Sequence, residues 1–155
     1  MNSENMKKLM LQNAAEINRM HLRIHETYKV RRQGPEKLQE WKQACDDFHS
    51  RYEKLAWPVN SEPSNWLERI ASGESESVEA ALCFLECRPY FFRSGYMFKD
   101  ILRKVKRAPM LPEQEVRLKI FLEKWAIYQG AKVKQGHRRF TLGQRPRNES
   151  ERSLE

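Results

Sequence analysis

Glycine is scarce in this chain of 155 residues, six in all, and no uncharged apolar run is longer than Ala80 to Leu85. The first scarcity, with 39% hydrophobic and 32% charged residues, suits a helical protein with many solvated faces better than an all-β fold. The second rules out a bilayer-spanning helix, which needs about 20 apolar residues. The opening Met1-Asn2-Ser3-Glu4-Asn5-Met6-Lys7-Lys8 develops no secretory apolar stretch, so a cytoplasmic location without membrane insertion is expected. In that setting Asn148-Glu149-Ser150 is not a glycosylation site. Cysteine is also sparse. Cys45, Cys83 and Cys87 are odd in number and lie in helix-like segments, which argues for reduced packing residues over a disulfide framework.

Catalytic motifs are missing as well. There is no nucleophile elbow, phosphate-cradling glycine loop or zincin His-Glu pair. Asp46 and Asp47 are adjacent, and neighbours on a helix point apart, so they make no working carboxylate pair. Two i,i+4 pairs, His21 with His25 and Cys83 with Cys87, have tetrahedral-zinc chemistry if two helices meet there. Packing cysteines and solvent-side histidines explain the same residues more simply. No catalytic residue, metal ligand or cofactor is therefore nominated.

What the chain does have is helical periodicity. Met6, Met10, Asn13, Ile17, Met20 and Ile24 alternate spacings of four and three, predicting a helix from about Asn5 to Val30. Gly34-Pro35 ends it and opens the next. Leu38, Trp41, Cys45, Phe48, Tyr52 and Leu55 carry the cleanest stripe, up to the break at Trp57-Pro58. So short a connection predicts an antiparallel hairpin over residues 1–58.

Residues 59–130 then read as two shorter hairpins. A third helix covers about Ser64–Ala71, with Trp66, Leu67 and Ile70 as its contacts. A fourth covers about Ser75–Cys87 and is apolar nearly all round, hence central. Glu74, Glu76 and Glu79 at its start complement the helix dipole. A fifth runs from Ser94 to Arg107, burying Met97, Phe98, Ile101, Leu102 and Val105. A sixth runs from Pro112 to Gln129 on Leu118, Phe121, Leu122, Trp125 and Tyr128, with Gly130 as its stop. The expected fold is thus all-α: six helices in one domain over residues 1–130, followed by a disordered basic tail over 131–155.

Charge is unevenly distributed. The net +8 splits into +3 over residues 1–58, −4 over 59–92, +5 over 93–128, +6 over 129–147, where no acid occurs, and −2 over 148–155. Lys99, Arg103, Lys106 and Arg107, with Lys104 nearby, fall at helical spacings on the fifth helix. The tail adds Lys132, Lys134, Arg138, Arg139, Arg145 and Arg147. Such cations neutralise phosphates, and Phe140 is available to stack on a base, which makes nucleic acid or another polyanion one partner class. Helix C-termini favour cations in any protein, however. The other partner class is protein: a methionine-rich first helix adapts to partners, and Tyr90, Phe91, Phe92 and Tyr96 form an aromatic docking patch or a packed hinge. The leading expectation is a non-catalytic helical adaptor or regulatory subunit binding a protein, with unspecific polyanion binding as the alternative; the sequence leaves the oligomeric state open.

Overall fold

The computed structural model describes residues 2–54 and 65–142, and side chains as far as residue 132. Its elements are α1 (Ser3–Val30), α2 (Pro35–Glu53), α3 (Trp66–Ala71), α4 (Ser75–Cys87), α5 (Ser94–Val105) and α6 (Pro112–Leu142). Among the described residues there is no strand, and no helix is long and apolar enough to cross a membrane. The chain divides into two compact units, Met1–Leu118 and Lys119–Glu155, with the division inside α6.

In the first unit, α1 and α2 form the expected hairpin. Asn2 caps α1 by accepting the Asn5 N–H at 2.8 Å, and Pro35 starts α2 where its missing N–H is harmless. The N-terminal half of α1 is the better buried. Met6, Met10, Ala14 and Ile17 are sealed there because α4 packs on α1 as well as α2 does. Met20 and Ile24 are only half-buried. The stripe of α2 is shallower than its regularity predicts: Ala44 and Phe48 are buried, Trp41, Cys45 and Tyr52 are half-buried, and Leu38 is exposed. At the turn end the two helices cover only each other, and Arg31 lies over the Tyr28 ring, which meets Trp41 edge-on. The expected contact Leu55 and the Trp57-Pro58 break lie outside the described residues.

Helix α4 is the centre of the unit. Val78, Ala80, Ala81, Leu82, Cys83, Phe84 and Leu85 are all buried, as an all-round apolar helix requires. Helices α3, α4 and α5 all pack on one another. They form a three-helix group, whereas the sequence suggested separate α3–α4 and α5–α6 hairpins. The six-residue α3 is too short to shield α4 alone, so α5 completes the cover with Phe98, Ile101 and Val105. Gly73 ends α3 at φ +82°, with the Gly73 N–H donating to Ile70 O and the Glu74 N–H to Arg69 O. An added Cβ there would sit 2.6 Å from Pro109 Cγ and from Pro109 O, so the turn after α5 rests directly on the turn after α3.

Helix α6 begins with Pro112 at its first position, and the Gln114 Oε1 accepts the Leu111 N–H at 3.1 Å. It departs from expectation at its other end. The helix continues through Gly130 to Leu142, taking in the first part of the segment read as a loose tail. A glycine costs a helix only about 1 kcal/mol, and Gly130 and Gly136 are set among the good helix formers Ala131, Lys132, Lys134 and Gln135, with no proline before Pro146. The apolar stripe ends near Gly130, but helical propensity does not. Residues 143–155 lie outside the described residues.

Candidate functional site

Two places in the first unit gather polar or aromatic chemistry. One is a charged cluster on α4. Glu79 stands alone as a carboxylate within the apolar run of that helix. It accepts hydrogen bonds from Ser3 Oγ of α1, from the Arg117 guanidinium, and from Gln114 Nε2 at 3.3 Å. Arg117 also binds Glu86, which in turn lies 3.9 Å from Lys7 Nζ. Burial pushes the Glu79 carboxyl up, but the donors from Arg117, Ser3 and Gln114 outweigh it and hold the group below its ordinary value of 4.5. Burial likewise works against the Arg117 charge, and its two carboxylate partners more than restore it, leaving its pKa raised.

This cluster explains the cysteines. Cys83 lies behind it, with its Sγ 3.7 Å from Ser3 O, and burial pushes its thiol up. Cys87, one turn on, is pushed up to about 11 by burial and by Cys83. Both thiols are thus held in the protonated form, which disfavours a resting nucleophilic thiolate at either position. The histidine pair is not brought to them. Cys83 meets α1 at Ser3, whereas His21 lies eighteen residues further along that helix, about 27 Å at 1.5 Å per residue. His21 instead packs on Phe48 and Phe92, with centroids 5.6 and 5.5 Å away. Among the described residues no group of three or more potential ligands is assembled. Glu79 and Arg117 direct their hydrogen bonds at protein groups, so the cluster serves to fasten Ser3 of α1 and the first turns of α6 to α4.

The second place is the elbow between α4 and α5. Pro89 forces the preceding residue out of helical geometry, and Arg88 leaves α4 in the left-handed region at φ 42°. Arg93 enters α5 at φ 62°. These are the only non-glycine residues with positive φ among the described residues, and they bracket the elbow. Such a conformation costs an L residue about 1–2 kcal/mol, so surrounding contacts must hold it. Those contacts are explicit. Ser94 Oγ accepts the Phe91 N–H at 3.1 Å, and the Ser94 N–H returns a bond to Phe91 O at 2.9 Å. Asn18 Nδ2 of α1 donates to Tyr90 O at 2.8 Å, and Tyr52 Oη of α2 donates to Phe92 O at 3.3 Å. The Phe92 ring meets His21, Phe48 and Tyr52 at 5.5–5.7 Å.

The four aromatics named from sequence therefore split. Phe91 is buried at 7% exposure and cannot meet a partner. Phe92 is half anchored in the α1–α2 hairpin. Tyr90 and Tyr96 are 85% and 72% exposed. Tyr96, Lys99, Arg103, Lys106 and Arg107 are all exposed and follow one outward line at helical spacings along and just beyond α5, while Phe98, Ile101 and Val105 face the core. Lys104 sits off that line and is half-buried. Of the line, Arg103 pairs with Asp100 at 3.0 Å. From residue 88 to 107 seven cations stand against that single carboxylate.

The remaining cations named from sequence belong to the second unit. Lys132 is exposed on α6, Lys134, Arg138 and Arg139 lie along the same helix, and Arg145 and Arg147 fall outside the described residues. Sequence reasoning missed the Glu79–Arg117–Glu86 cluster, although a carboxylate inside an otherwise apolar helix signals a distant cation. It also missed the strained arginines, whose only sign was the proline after Arg88. Compared with protein-family models, with curated proteins and with solved structures, the chain matches none.

Proposed function

We propose that this protein is a non-catalytic helical binding module that docks an acidic protein partner through the α4–α5 elbow and the outward face of α5. One observation carries the reading: the elbow is held in a strained backbone by anchors from α1 and α2, yet it presents Tyr90 and Tyr96 almost fully to solvent. Tyrosine and arginine dominate the binding energy of protein interfaces, because a large ring or planar cation contributes area and directed hydrogen bonds at small entropic cost. A rigid support lowers that cost further. Lys99, Arg103, Lys106 and Arg107 give the partner its sign, and opposite charge speeds encounter.

The same α5 cations support a second reading, unspecific polyanion binding, joined by Lys132, Lys134, Arg138 and Arg139 of α6. One experiment separates the two. The tagged protein is purified from its own cells with and without nuclease, beside the Tyr90→Ala/Tyr96→Ala double variant. Protein docking predicts a stoichiometric protein that survives nuclease and is lost from the double variant, whose melting is unchanged. Nucleic acid that disappears with nuclease would favour the second reading. Equal capture of one protein by both forms would remove the elbow from the interface.

A further inference from the structure

His21 and His25 stand one turn apart on α1, and their imidazole rings meet, with centroids 4.8 Å apart and planes crossing at 63°. The two differ in setting. His21 is half-buried, with Phe48 of α2 and Phe92 of the elbow against it at 5.6 and 5.5 Å. His25 is exposed. One ring is thus held by packing, while the other turns freely about its soft outer torsion. Among the described residues no third histidine, cysteine or carboxylate joins the pair.

We infer that His21 and His25 chelate one transition-metal ion, with copper(II) held most tightly. The ring separation is the geometric argument. A metal–nitrogen bond of about 2.0–2.1 Å places each imidazole centre about 3.2 Å from the ion. Two such rings lie about 4.5 Å apart at a right angle and about 5.2 Å apart at the tetrahedral angle. The observed 4.8 Å falls between them, so an ion is accommodated without moving the backbone. Both donors ride on one helix and one of them is already clamped, which keeps the ordering cost of chelation small. The donors also choose the metal. Imidazole nitrogen suits copper, nickel and zinc, whereas magnesium and calcium take oxygen. Lys29, one turn beyond His25, adds like charge, which disfavours an ion held by electrostatics alone. Affinity for such donors rises through nickel to copper and falls at zinc. With two protein ligands the remaining positions go to water, so the ion is exchangeable and not structural. The inference is independent of whether the elbow docks a protein.

Isothermal titration of the untagged full chain with copper(II), nickel(II) and zinc(II) chlorides tests it, with Tm measured with and without each ion. The expected result is one saturable site, tightest for copper, whose filling raises Tm because only the folded helix holds the two rings together. His25→Ala, a change at an exposed side chain, weakens binding by at least about tenfold and removes the metal-dependent rise in Tm. His21→Ala weakens it by a similar factor. His49→Ala, at an exposed histidine of α2 that also meets Phe48, leaves the affinity as in wild type. No saturable binding tighter than about 1 mM overturns the inference. So does an affinity indifferent to His25→Ala, which places the ion elsewhere on the chain. Zinc held more tightly than copper overturns the choice of metal.

Discussion

Replacing Arg117 with methionine removes a charge while keeping most of the stem that packs beside α4. In the folded protein the guanidinium binds Glu79 and Glu86 together. The side chains are 20–29% exposed, between the fully buried and surface limits. Hydrogen bonds to charged groups contribute about 1.5–3 kcal/mol when buried, and exposed ion pairs about 0.2–1 kcal/mol. Glu79 keeps Ser3 and Gln114 as donors and Glu86 keeps Lys7, so the loss falls toward the lower part of the combined range, about 2 kcal/mol. For a chain of this size that lowers Tm by about 4–8 °C near pH 7. The pH dependence identifies the partner. The folded Glu79 pKa lies below its ordinary 4.5, so its stabilising contribution is complete above that value and fades as pH falls through the folded value. Without Arg117 the largest opposing influence, burial, has less to offset it. The Tm gap between wild type and Arg117→Met should therefore be widest above pH 5 and narrow toward pH 3. A gap of equal size at both pH values would refute the carboxylate partnership. An unchanged Tm at pH 7 would refute the fastening role altogether.

Phe48→Ala empties the site where α2, α1 and the elbow meet, and should cost about 3 kcal/mol, read from the denaturant midpoint at constant m. Gly73→Ala combines a strained left-handed conformation with a collision against Pro109, and should cost well over 1 kcal/mol in the same assay. An indifferent Gly73→Ala would mean the two turns do not touch. Cys87, with its thiol pushed up to about 11, should resist iodoacetamide in the native protein at pH 8 and react once denaturant is added, as peptide mass spectrometry would show.

The helices were legible because their residues answer to local rules. Ser75 to Cys87 is apolar all round and sits at the centre; Gly34-Pro35 and Arg88-Pro89 break the chain where they should. Depth of burial was less legible. Leu38 has the same spacing as Phe48 and is exposed, because Phe48 meets the elbow while Leu38 has only α1 opposite. Periodicity states which side faces a neighbour, and the number of neighbours depends on the whole topology. Gly130 shows the converse limit, since a local signal for stopping was overridden by the helix formers around it. At the candidate site, the aromatic and basic residue types were visible in advance. The division of Tyr90 and Tyr96 from Phe91 was not, because it arises from hydrogen bonds donated by Asn18 and Tyr52 across 72 and 40 positions of the chain.

The elbow's wiring has a consequence for how such a surface changes over time. Asn18 and Tyr52 grip backbone carbonyls, which every amino acid supplies, and the rings at positions 90 and 96 carry none of the framework's weight. Those tips are interchangeable parts. A library randomised at both positions should consist mostly of folded members, so specificity can drift, be lost or be redirected by selection while the scaffold stays as it is.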